Sequence, residues 1–143
     1  MSATIPDLWP QDLFTTPTVT PVAVLRQQGE TLGARTHNFV RCEVDTESNA
    51  DGTIFTHKLM LVAPFLRYRA PLLMLHHKLQ PYPATLENTP LTGRVLQAWH
   101  RAVNNEQELR EALREYFNQD RVKEIIRAVN NMSNDAVSEP YGI

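Results

Sequence analysis

The side chains able to do chemistry are few and scattered. The 143-residue chain carries five histidines, one cysteine, 16 Asp and Glu, and 14 Lys and Arg. Histidine comes first, because its charge changes near neutral pH and its ring nitrogens bind metals. His76 and His77 are adjacent, and adjacent side chains on a strand point to opposite faces, so they do not readily share an ion. His57 and His77 are better matched. Both lie on the expected core-facing side of two consecutive strands and approach each other if those strands form a hairpin. A zinc site would need a third ligand, for which His100 and Glu87 are conceivable, but no ligand-spaced pair of histidines or cysteines occurs. No metal and no other cofactor is expected.

Glu43 and Asp45 point to one face of a strand, an arrangement able to do acid–base work or hold a cation. With Glu47 and Asp51 they border a turn, which favours a solvated edge. The five glycines contain no Gly-x-Gly pair to cradle phosphate, and there is no Gly-x-Ser-x-Gly elbow. Ser2, Ser48, Ser133 and Ser138 fall in the arm, a turn or the tail, where nothing rigid holds a nucleophile. Cys42 alternates with Val40 and Val44 and reads as a small buried hydrophobe. No residue is assigned a catalytic role, and an enzyme is not expected.

Two sets of residues remain as contact surfaces. Leu8, Trp9, Leu13 and Phe14 are bulky residues in a stretch that also holds Pro6, Pro10, Pro17 and Pro21. A solvated tail rarely carries such side chains. They either fill gaps on their own domain or dock on a partner or a second copy. The other set is basic. Residues 53–103 hold six Lys and Arg against the single acid Glu87, with four of the five histidines. Within it, Lys58, Arg67, Tyr68, Arg69, His76 and Lys78 form a candidate anion- or nucleic-acid-binding surface, Tyr68 standing between two arginines as in many phosphate or base contacts. The competing expectation is that acidic segments fold over this region and neutralise it.

The elements that must position these residues are legible from periodicity. Residues 1–20 form a proline-rich arm, 21–132 a single domain and 133–143 a flexible C-terminal tail. Thr20-Pro21 is a helix start, a hydroxyl cap followed by proline at the first helical position, and the helix runs to about Arg35. Period-two alternation then predicts a strand around 39–45, a turn at Ser48–Gly52, a second strand over about 53–63 closed by Pro64, a connection over 65–70, and a third strand over about 71–79. Tyr82–Leu86 reads as a short edge strand beside Pro81 and Pro83. Residues 91–103 fit helix and strand almost equally, with strand slightly favoured. A capping box near Asn105 opens one helix, and a second follows with Val122, Ile125, Ile126, Val129 and Met132 on one face.

The fold class is therefore α+β: an N-terminal helix, an antiparallel meander of three to five strands and two C-terminal helices. Strands two and three are apolar on both faces at one end, so both faces need cover, from the C-terminal helices or a second subunit. The net charge of −2 excludes a uniformly basic coat for nucleic acid. No stretch has the length and hydropathy of a membrane span, and no secretory leader is visible. Together with the lone cysteine, these features favour the cytoplasm. The expected function is a non-enzymatic protein–protein interaction or assembly module, partnered by another protein or itself as a homo-oligomer. A nucleic-acid or phosphate-ligand binder using the basic sheet surface is the alternative.

Overall fold

The computed structural model describes residues 4–14, 18–91 and 98–138. Its first helix, α1 (Pro21–Arg35), begins where the Thr20 hydroxyl accepts from the Ala23 amide at 3.3 Å. It ends at Thr36, whose amide and hydroxyl bond back to Leu32 and Gly33 carbonyls. His37 and Asn38 then take left-handed backbone angles, and the chain reverses into the sheet.

The sheet has five strands in the order of the sequence, each antiparallel to the next: β1 (Arg41–Ser48), β2 (Phe55–Ala63), β3 (Tyr68–His77), β4 (Ala84–Asn88) and β5 (His100–Val103). The turn between β1 and β2 works as its residues predict. Gly52 has φ of 70°, and the Asn49 side chain accepts from the Thr53 and Ile54 amides. Two helices follow, α2 (Glu106–Phe117) and α3 (Asp120–Ser138). Asn105 caps α2 by accepting from the Glu108 amide at 2.8 Å, and the Glu108 carboxylate reaches back to Asn104 and Asn105. This is the α+β arrangement expected from periodicity, with the meander at its full five strands.

The structure corrects three expectations: the start of β3, the edge position of β4 and the end of the last helix. β3 begins at Tyr68, not near 71, because a three-residue 3-10 turn (Pro64–Leu66) and the left-handed Arg67 complete the reversal early. Pro71 is tolerated inside the strand because the pairing slips there, from Leu59↔Leu73 to Met60↔Pro71, leaving Leu72 as an extra residue. β4 is not an edge: Pro81 and Pro83 precede it, and β5 pairs along its far side. Residues 100–103 are the favoured strand, while 92–97 lie outside the described residues. The last helix continues six residues into the expected tail. Its buried face is Val122, Ile125, Val129 and Ser133, with the Ser133 hydroxyl bonded to the Val129 carbonyl, whereas Met132 is exposed. Residues 139–143 lie outside the described part.

One sheet face carries the core. Cys42 and Val44 of β1, Leu59 and Leu61 of β2, Leu73 and Leu75 of β3, and Ala84 and Leu86 of β4 face the three helices. α1 lies against β1, with Gly29 directly over Cys42. The Tyr116 hydroxyl of α2 donates to the carbonyl of the bulged Leu72 at 2.6 Å. Among the described residues no helix lies on the opposite face, yet Met60 and Val62 there are only 8% and 7% exposed. In register, Arg41 and Arg69 stand on either side of Val62. Their stems flank it, and their charged ends lie among Glu43 and Asp45. At Val62 the described neighbours across the sheet are thus long polar side chains of its own strands. Among the described residues, no helix is long and apolar enough to cross a membrane.

Candidate functional site

β2 and β3 pair so that His57 opposes Leu75 and His77 opposes Phe55, one step along the same inner face. The His57 and His77 Nε2 atoms lie 2.8 Å apart, and their rings stack at 4.9 Å with Phe55 stacked on His77. The line continues at both ends. His77 Nδ1 donates to the Lys78 carbonyl, and His57 Nδ1 lies 2.8 Å from the Thr46 hydroxyl, which can donate or accept. With both rings neutral, His57 Nε2–H donates to His77 Nε2 and Thr46 donates to His57 Nδ1. Burial is the main cause that lowers the His57 pKa from 6.5 to about 4. Such a ring is a weak base at neutral pH. His76 and Glu87 point to the outer face, where the His76 ring bonds Thr56 and Glu87 at 2.9 Å each. His100 opposes Glu87 on that same face. The two conceivable third ligands are therefore across the sheet from the His57–His77 pair. No group of three metal-ligating side chains forms among the described residues.

The basic set is dispersed. Lys58 pairs with Glu47 at 3.3 Å, and Arg69 with Asp45 at 2.7 Å and Glu43 at 3.8 Å. The Arg69 guanidinium holds the Asp45 carboxyl below its ordinary range. Tyr68 lies on the core side, opposite Ala63, while Arg69 lies on the outer face, so the Arg67–Arg69 triplet forms no common cradle. Arg67 and Lys78 are exposed at opposite ends of a ten-residue strand, about 30 Å apart. The acidic edge of β1 lies over the charges of β2 and β3, in line with the neutralising alternative.

The arm is the clearest exposed apolar feature. Leu8, Trp9 and Phe14 are 82%, 74% and 89% exposed, Leu13 is 48% exposed, and Ile5 joins them at 83%. These side chains do not fill gaps in their own domain. An Asp7 carboxylate accepting from the Trp9 amide and a turn closed from Leu13 to Pro10 shape the segment locally.

A cleft of about 450 Å3 between α1, the sheet and the α2–α3 hairpin is not legible from spacing. Its floor includes Leu59, Leu72 and Cys42, and its charged lining residues are Arg35, Lys123 and Arg127. It adjoins a hollow of about 340 Å3 that shares Arg35 and Phe117 and adds Arg110 and Arg114. Among the described residues, no carboxylate lines either one. Burial at the floor pushes the Cys42 thiol up to about 12, so essentially no thiolate exists at neutral pH. A thiol reagent at pH 8 is therefore expected to leave the native chain unmodified over an hour and to titrate one thiol in denaturant. Rapid reaction of the native chain would show that the floor is open. No protein-family model, curated protein or solved structure matches this chain.

Proposed function

We propose that this protein is a non-enzymatic interaction module that holds another protein chain through its N-terminal arm. The observation that carries this reading is the exposure of Leu8, Trp9, Leu13 and Phe14 beside a domain whose own core is complete without them. Ordering such a segment in water has no return unless its apolar surface is covered. The lone, unpaired Cys42 supports a reducing, cytoplasmic setting for that partnership.

The test compares the intact chain with a full-length variant carrying Leu8→Ala, Trp9→Ala, Leu13→Ala and Phe14→Ala. Native mass by light scattering is expected to exceed one chain for the intact protein and to fall to one chain for the variant. The thermal midpoint should stay unchanged, because these side chains are outside the core cluster. An intact chain that stays monomeric at millimolar concentration, and that retains no second protein from its native source, overturns the reading.

A further inference from the structure

We propose that the arm of one copy seats in the basic cleft of a second copy, so that the module assembles by exchanging arms. This rests on the reading of the arm as a protein-binding segment and names its acceptor. The arm holds the same triplet twice, Asp7-Leu8-Trp9 and Asp12-Leu13-Phe14, each joining one carboxylate to a leucine and an aromatic ring. The cleft offers the complement twice. Its larger part sets Arg35, Lys123 and Arg127 around an apolar floor, and the adjoining hollow sets Arg110 and Arg114 beside Leu113 and Phe117.

Charge makes the match selective. The chain has more carboxylates than Lys and Arg, 16 against 14, yet every charged residue lining the two hollows is basic. Glu106 pairs with Arg110 and Asp120 lies 3.7 Å from Lys123, but Arg35, Arg114 and Arg127 have no carboxylate within ion-pair distance among the described residues. The described part of the arm carries only Asp7 and Asp12 as charges. An apolar segment with two carboxylates therefore meets an apolar trough edged by unneutralised cations. The twelve residues from Trp9 to Pro21 set an upper bound of about 40 Å on the distance the arm can bridge. Among the described residues, none from the arm lines the cleft of its own chain.

The experiment measures self-association of the full-length chain by sedimentation equilibrium, with the thermal midpoint as a folding control. Arg35→Glu with Arg127→Glu, both exposed residues, is expected to weaken the dimer at least about 10-fold. Asp7→Arg with Asp12→Arg should do the same. Combining all four restores opposite charges across the contact and is expected to return the constant to within about 3-fold of the original. Raising the salt should weaken the original dimer. If the alanine-substituted arm abolishes the dimer while the cleft reversals leave it unchanged, the cleft is not the acceptor and only this inference falls. A monomeric chain in which Trp9 is shielded from quencher, with the shielding lost on cleft reversal, places the arm in its own cleft and also overturns the exchange. If the arm substitutions change neither mass nor partner retention, the arm reading falls with it.

Discussion

Replacing Gly29 with alanine is expected to destabilise the chain by about 2–3 kcal/mol, although glycine is a poor residue for the middle of a helix. On propensity alone the change should stabilise α1 by about 1 kcal/mol. Packing reverses the sign. A Cβ at position 29 would stand 2.4 Å from the Cys42 carbonyl oxygen, 2.9 Å from the Cys42 Cβ and 3.0 Å from its carbonyl carbon. Two of these atoms are backbone, and β1 cannot retreat because it is paired to β2 from Arg41 to Ser48. The helix must lift instead, opening the contact of Val24 and Leu25 with the core. Gly33→Ala is the control. There the nearest atoms are the Asn38 Oδ1 at 3.2 Å and the Arg41 Cβ at 3.4 Å, both side-chain atoms, so its change should stay within about 1 kcal/mol. Urea unfolding of the two variants checks the contrast. A Gly29→Ala chain as stable as the original would mean that α1 does not cross β1 at Cys42.

That crossing shows which parts of the fold can be read from the sequence. Local chemistry is legible: Thr20-Pro21 starts α1, Asn105 starts α2 and Gly52 closes the first hairpin, because each satisfies or frees backbone groups within a few residues of itself. Alternation alone likewise places His57 and His77 on one face of a hairpin. Pairing across the sheet is less legible. Pro71 suggests a late start for β3, and only the slip opposite Met60 explains how it sits inside a strand. That acidic segments neutralise the basic stretch from 53 to 103 is expected from charge alone, but which residues do so, Glu47 on Lys58 and Glu43 and Asp45 on Arg69, follows only from the pairing of β1 with β2 and of β2 with β3. The cleft is least legible of all. Arg35, Arg114 and Arg127 come from three helices and converge only through the packing of α1 against the α2–α3 hairpin, so no spacing rule finds them.

Lowering the pH from 6.5 to 4 is expected to weaken the fold by about 1–2 kcal/mol through His57 alone. The folded ring has its pKa lowered from 6.5 to about 4, first by burial and then by the charges of His77, Arg26 and His76. In the unfolded chain it titrates near 6.5. Between those values the unfolded state binds the extra proton, so stability rises with pH across the window and is lost as pH falls through it. The full difference corresponds to about 3 kcal/mol, and water near the end of the strands screens part of it. The setting is specific: both ring nitrogens of His57 are already engaged, Nδ1 with the Thr46 hydroxyl and Nε2 with the His77 ring, so an added charge there is held away from water. The carboxylate held low by Arg69 stays ionised through this range, so its contribution is lost only at lower pH. Substituting His57→Phe replaces the ring with one of similar size that cannot titrate, leaving half-buried His77 to take a water. The variant should show a flatter stability curve between pH 4 and 6.5, whatever its stability at neutral pH. Denaturant midpoints measured at half-unit pH steps decide the matter. Parallel curves for the two proteins would mean that the histidine line accepts a proton in the folded chain as easily as in the unfolded one.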